Sequence, residues 1–477
     1  MKKRCVFMGY ELIIKNANIP QGDRQVLTDI LVDKGVIVGF AKDIAAEAEQ
    51  VIDAKGKLVL PGVIDSHTHF NDPGFTHRED FVTGTSSAAA GGVTMIVDMP
   101  CCSVPSVRSV ENLHNKLNAL EGKGIVDYAM WGGITGEDVR NDVLNIVKEQ
   151  AAEGVVAFKV YMTPSVPSYP RVTDPEMLEA FYAVAETGMP IGIHAENYAI
   201  CDYYTQKLKK EGRMDYPAWA EARKILAEKA AIQLGISFSE ETGARLHIVH
   251  MSTAAGNQLI KEAKLKGVKV TAESCPHYLT LNAVEAMTEF GTFAKIAPPL
   301  RRTEDNEALW QGLVDGTIDF MATDHAPYEI ATEKDAPGMD VWTSFPGIPG
   351  VETLVPIMIS EGYNKGRLSL SRLVELLCTN PAVHYGLYPK KGALEIGTDA
   401  DFTIVDLEKE WTVDKDKMHC KPKYTPFHGM KLKGKVDKTI VRGTLVYDDE
   451  LGVVGKPGYG EFVKRQSISE LPRMLKY

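Results

Sequence analysis

The stretch Val63-Ile-Asp-Ser-His-Thr-His69 begins as a short apolar run and ends in two histidines one residue apart. Further along the chain the same pattern recurs. Apolar runs stand at Val93-Thr-Met-Ile-Val-Asp98, Val126-Asp-Tyr-Ala-Met-Trp131, Val155-Val-Ala-Phe-Lys-Val-Tyr161 and Ile191-Gly-Ile-His194. Others stand at Leu246-His-Ile-Val-His250, Val268-Lys-Val-Thr271 and Ile318-Asp-Phe-Met-Ala-Thr-Asp324. Between several of them lie amphipathic stretches, such as Ala220 to Leu234 and Gly256 to Leu265. Strand-like runs alternating with helices predict an α/β fold, a (β/α)8 TIM-like barrel over residues 59–385. A doubly wound open sheet is the competing topology, but no Gly-rich phosphate-binding turn opens the series.

Both chain ends have a different texture. Glu11-Leu-Ile-Ile, Asp29-Ile-Leu-Val, Gly35-Val-Ile-Val and Lys57-Leu-Val-Leu read as short strands with tight turns. Ala400-Asp-Phe-Thr-Ile-Val-Asp406 and Lys438-Thr-Ile-Val-Arg-Gly-Thr-Leu-Val-Tyr447 read the same way. Chain termini commonly lie close in space, so residues 1–58 and 386–477 are expected to build one discontinuous β-sandwich domain.

Bulk properties exclude several function classes. A net charge of -11 argues against nucleic acid or an anionic membrane as partner. No apolar stretch is long and charge-free enough to span a bilayer. Met1-Lys-Lys-Arg4 is basic, but the apolar stretch after it is short and is soon interrupted by Glu11 and Lys15, so a secretory signal is not expected. Seven scattered cysteines, two of them adjacent at Cys101-Cys102, do not form a disulfide framework and fit a reduced, cytoplasmic protein.

Polar residues fall at the strand ends. His67 and His69 follow the first run, Lys159 lies in the fourth, and His194, His250 and Asp324 end the fifth, sixth and eighth. In a barrel the C-terminal strand ends form the mouth where ligands sit. Taken singly, each has an ordinary explanation: a buried histidine satisfied by a hydrogen bond, or an aspartate capping the next helix. Burying so many ionisable groups without a shared role would be costly. Imidazole and carboxylate suit Zn, Mn, Fe or Co, and a catalytic metal acidifies a bound water. Lys159 is not a ligand as an ammonium. Burial near cations would lower its pKa, and the free amine can add carbon dioxide to give a carbamate able to bridge two metals. A buried ion pair with a carboxylate is the alternative for Lys159.

With these residues in view, the chain resembles the cyclic amidohydrolases of the dihydroorotase, allantoinase and hydantoinase group. The likeness runs nearly end to end, through Asp65-Ser-His-Thr-His69, Gly91-Gly-Val-Thr, Phe158-Lys-Val-Tyr, His194-Ala-Glu and His250-Met-Ser. It continues in Glu273-Ser-Cys-Pro-His-Tyr-Leu279, Pro298-Pro-Leu-Arg, Thr323-Asp-His-Ala-Pro327 and Gly397-Thr-Asp-Ala-Asp-Phe402. The resemblance implies two divalent metal ions, Zn first, with Mn, Fe or Co as alternatives. One would be held by His67, His69 and Asp324, the other by His194 and His250. N6-carboxylysine at Lys159 and a hydroxide would bridge them. Asp324 would take the proton of the nucleophile and pass it to the leaving ring nitrogen. His277 and His325 sit inside family motifs and would orient ligands from behind. A homotetramer is also implied.

The neighbours of the motif bear on the substrate. Dihydroorotases usually carry an arginine where this chain has Asn71, and that arginine grips a carboxylate. Hydantoinases and dihydropyrimidinases usually place a tyrosine five residues after the bridging lysine, where this chain has Pro164; Tyr161 and Tyr169 are nearby. Phe70-Asn-Asp-Pro-Gly74 is similar to allantoinases, which points to a small cyclic ureide or imide, allantoin first. Ala297, Pro298 and Gly347 are expected to present backbone groups to the ring amides, with Asn71 either reading the substrate or shaping the turn. A non-catalytic scaffold of dihydropyrimidinase-like type is the alternative of another class; such proteins lose the metal ligands, whereas all six positions are filled here.

Overall fold

A computed structural model describes residues 9–466; the basic Met1-Lys-Lys-Arg4 lies outside them. The barrel strands are Val63–Thr68, Val93–Asp98, Asp127–Met130, Phe158–Tyr161, Pro190–His194, Arg245–Ile248, Val270–Ser274 and Phe320–Met321. All pairings between them are parallel. Strands covered on both faces read as near-continuous apolar runs, which is why the periodicity is weak and the runs are short.

The ring is drawn together at two places. The third strand bends at Trp131 and continues as Gly132–Gly133, which pairs with Phe158–Tyr161. Between the eighth strand and the first, Thr68 bridges His325, and the His69 amide donates to the His325 carbonyl at 2.8 Å.

Helices cover the outside. Phe81–Ala90 starts at Asp80, whose carboxylate accepts from the amides of Val82 and Thr83. Ile225–Thr242 ends at Gly243 and Thr303–Asp315 at Gly316, both in the left-handed conformation that glycine tolerates. The amphipathic stretch expected from Ala220 to Leu234 is broken: Pro217–Ala222 and Ile225–Thr242 are separate helices. Tertiary bonds hold the break, because the Arg223 carbonyl accepts from Arg301 and the Arg223 guanidinium turns inward to Glu196.

The two chain ends share one nine-stranded sheet. Leu58–Pro61 pairs antiparallel with Phe402–Thr412 and parallel with Tyr10–Gln21, so N- and C-terminal strands interleave. Leu12, Ile14, Ile30, Val32, Phe402, Ile404 and Ile440 form the core of this β-sandwich. The run from Lys438 to Tyr447 spans two strands, Lys431–Val441 and Thr444–Asp448, turned at Arg442 and Gly443 with positive φ. The strand Ala48–Asp53 carries no apolar alternation and is not evident from sequence. Among the described residues no helix is long and apolar enough to cross a membrane.

Barrel and sandwich are tied by a buried cation. Lys391 Nζ lies 2.6 Å from Asp127 on the third barrel strand and 2.8 Å from both Asp399 and Asp401, and these carboxylates hold its pKa up against burial. Removing one partner of a buried charge network costs about 3–5 kcal/mol. Lys391→Met is therefore expected to lower the thermal midpoint by several degrees; a melting curve matching wild type would contradict this role.

Candidate active site

The strand ends converge as the barrel requires. His67, on the first strand, is fully buried; its Nδ1 lies 2.5 Å from Glu273 Oε1, which leaves Nε2 facing inward, 3.2 Å from Asp324 Oδ1. His69 Nε2 meets the same oxygen at 3.0 Å. Glu273, from the seventh strand, also receives the Ser66 hydroxyl and faces His247 at 3.3 Å. Burial opposes its charge, but His67 and His247 hold its pKa well below the usual carboxylate range.

A second cluster stands beside the first. His194 Nε2 lies 2.8 Å from Glu196, and its Nδ1 faces His250 Nε2 at 3.0 Å. The rings of His67 and His250 are 5.3 Å apart, so the two groups of imidazoles adjoin. Backbone strain marks the same place: His250 and Asp324 have φ of 40° and 49°, unusual for residues other than glycine.

Lys159 lies between the clusters electrostatically, its charge felt by His67, His194, His250 and Asp324. Its Nζ is buried with no hydrogen-bond partner among the described residues, and no carboxylate pairs with it. Burial draws its pKa down to about 8, against the opposing pull of Asp324. For Asp324, burial is outweighed by His67, His69 and Lys159, which hold the carboxyl at about 2.

These residues fit a divalent metal centre. Lys159 Nζ has no partner in the interior, and His67 Nε2 faces Asp324 at 3.2 Å without making a hydrogen bond, a costly arrangement without a shared ligand. Glu273 and Glu196 each engage the outer nitrogen of an imidazole, fixing its tautomer and turning a lone pair inward, as metal-ligating histidines require. His67, His69 and Asp324 bring one ligand atom each within 4.8 Å of one another.

The cavity over this centre measures about 580 Å³ and is walled by Tyr161, Trp219, Ala297, Tyr328 and the segment Thr163 to Pro167. A roomier cavity, about 780 Å³, lies between Glu352 and Trp411 and holds none of these groups. Size therefore does not mark the site; convergent polar chemistry does.

Several other predicted residues fall outside the wall. Asn71 is buried in a left-handed turn and donates its amide to the His69 carbonyl at 2.9 Å, the turn-shaping alternative. Ala297 lines the cavity, but Pro298 gives its carbonyl to the Tyr278 hydroxyl, and Gly347 gives its amide to Lys295 and its carbonyl to Tyr424 and Lys334. His277 is buried against Tyr278, and burial pushes its pKa down to about 3. His325 Nδ1 accepts from the amides of Gly350 and Val351, so it supports the loop and, through its carbonyl, His69. Of the two tyrosines, Tyr161 reaches the wall, stacked on His194 with its hydroxyl 3.1 Å from Cys101 Sγ. Tyr169 bonds the Lys159 carbonyl instead. Sequence reading missed Glu273 and Glu196 as orienting groups, although both stand in motifs that carry the resemblance, Glu273-Ser-Cys and His194-Ala-Glu.

Such a mouth on a (β/α)8 barrel defines a hydrolase class, and comparison narrows it. The profile of the Amidohydrolase family matches residues 58–446, and the chain belongs to that family, which is metal-dependent. It is 37% identical to L-hydantoinase of Paenarthrobacter aurescens over 462 residues, 96% of this chain and 99% of that one. It is 36% identical to allantoinase of Rubrobacter xylanophilus over 458 residues, 96% and 98% of the two chains. The solved L-hydantoinase (dihydropyrimidinase) from Arthrobacter aurescens superposes with a TM-score of 0.91 at 36% identity, covering 96% of this chain and all of that one. The protein is a cyclic amidohydrolase of the hydantoinase and allantoinase group, a hydrolase acting on cyclic amides.

Loss of a carboxylate that orients a ligating histidine typically costs 10–100-fold in metal affinity or activity. Glu273→Gln should therefore lower bound metal, measured by elemental analysis after dialysis, by about that factor. Full retention of metal at wild-type affinity would remove Glu273 from this role.

Proposed function

We propose that the protein opens allantoin to allantoate. The observation that carries the reading is two positions of the family's pattern: position 71, in the turn after His69, is not arginine, and position 164, on the cavity wall five residues after Lys159, is proline rather than tyrosine. Allantoin is a neutral ureide and needs no carboxylate clamp at that place. Relatives named allantoinase and L-hydantoinase stand at 36% and 37% identity, so the choice between them rests on these two positions. Hydantoin opening is the second reading, favoured by Tyr161, which lines the cavity and would serve an oxyanion in place of the missing tyrosine once its hydroxyl leaves Cys101.

His67, His69 and Asp324 would hold one divalent cation and His194 and His250 another, with Lys159 as its carbamate between them, and Zn as the first candidate. When bound, the pair would supply an acidified water and a polarised ring carbonyl. The protein's own part is proton handling and positioning. Asp324 is charged at neutral pH, so it can accept the proton of the attacking water. It can then return that proton to the departing ring nitrogen, general base and general acid in one group. Glu273 and Glu196 keep the imidazoles aimed. Tyr161, Trp219 and the Thr163–Pro167 segment enclose the ring and exclude bulk water. The homotetramer expected from resemblance belongs to this proposal.

Supplying allantoin, hydantoin, dihydrouracil and dihydroorotate to metal-loaded protein tests the reading. Allantoin should be opened fastest, chelation should abolish turnover, and Asp324→Asn should cost about 10²–10⁴-fold in kcat. Turnover of dihydrouracil or dihydroorotate in preference to allantoin would overturn the substrate assignment.

A further inference from the structure

We propose that Arg78 reads the substituent carried by the substrate ring, and that the group it takes is a planar, uncharged hydrogen-bond acceptor such as a ureido or carboxamide carbonyl. The inference rests on the cyclic-ureide reading and concerns what hangs from that ring.

Arg78 lies beyond the turn that begins at Asn71, is 5% exposed, and lines the cavity over the metal-type residues. Its Nε donates to both oxygens of Glu333 at 2.8 and 3.0 Å, and Nη2 donates to Oε1 at 2.5 Å. Nη1 is buried and has no hydrogen-bond partner among the described residues. A guanidinium carries its N–H donors in a fixed fork, so holding Nε and Nη2 on Glu333 fixes where Nη1 is presented. Leaving such a donor unmet in the interior is unfavourable. The centre of the guanidinium stands 4.4 Å from the Phe75 ring, 4.7 Å from Tyr328 and 5.5 Å from Phe345. These ring faces attract the charge as a whole but offer no lone pair to Nη1.

Three features define the ligand. The free donor asks for an acceptor. Glu333 already neutralises the guanidinium and would repel a carboxylate brought beside it, which favours an uncharged carbonyl. The surrounding aromatic faces favour a flat group that can stack. Of the other cations on the wall, Arg223 is paired with Glu196, and Lys295 is held on the Ser344 carbonyl where burial draws its pKa down to about 7, so it carries only part of a charge. A ureido side chain satisfies all three conditions.

The test uses the metal-loaded full-length protein and its Arg78→Lys and Arg78→Met variants. Allantoin (ureido substituent), 5-methylhydantoin (no acceptor) and hydantoin-5-acetic acid (carboxylate) are compared through kcat and KM. Loss of a hydrogen bond from a charged donor should lower the ratio of kcat/KM for allantoin over 5-methylhydantoin by about tenfold or more, mostly through KM. Should Arg78→Met fail to fold, Arg78→Lys decides by the same ratio. An unchanged ratio, or an equal loss on both substrates, makes Arg78 only a clamp on Glu333 and overturns the proposal. Wild-type preference for hydantoin-5-acetic acid over allantoin overturns the uncharged acceptor. Wild-type protein that opens none of the three overturns the cyclic-ureide reading itself, and the proposal with it.

Discussion

The barrel closes on one buried carboxylate. Asp65, in the first strand, accepts the Thr323 amide at 3.0 Å, the Thr323 hydroxyl, and the His67 amide at 3.3 Å. It therefore ties the first strand to the eighth across 258 residues of chain. One half of the site depends on this seam, because His67 and His69 leave one side of it and Asp324 leaves the other. Burial pushes Asp65 up to about 7, with the Thr323 bonds acting against it. The hydrogen bonds to Thr323 and His67 leave little of its hydrogen-bonding capacity unmet, which is what makes a carboxylate tolerable there.

Around that seam the site is built in shells that share partners. Glu273 aims His67 and contacts His247; Glu196 aims His194 and is held by Arg223. Arg223 can reach Glu196 because the helix that would contain it is broken there. The carboxylate behind His194 thus owes its partner to a helix break outside the barrel, whereas Glu273 is placed by its own barrel strand. Lys159 Nζ is buried among these groups with no hydrogen-bond partner among the described residues, as an amine awaiting another partner would be.

Much of this is legible in the sequence alone. The ring of His67, His69, Lys159, His194, His250 and Asp324 can be read because barrel topology turns strand ends into neighbours, so sequence position along each run predicts convergence. The joining of both chain ends in one sheet follows from their shared strand texture. Other parts are not legible, for definite reasons. Arg78 acquires meaning only through Glu333, 255 residues away. Asn71 looks equally suited to a ligand contact and a turn, and its positive φ decides for the turn. Pro298 and Gly347 spend their backbone groups on Tyr278, Lys295, Lys334 and Tyr424, pairings no local pattern announces.

The central claim is that the six convergent side chains form one binuclear metal centre with Lys159 as its bridge. Anomalous scattering from crystals of protein grown with added zinc addresses it most directly. Two peaks are predicted, one among His67, His69 and Asp324 and one between His194 and His250, with density for a carboxylated Lys159 joining them. Crystals of fully folded protein with no anomalous peak at these residues, or with an unmodified Lys159 paired to a carboxylate, would contradict the account.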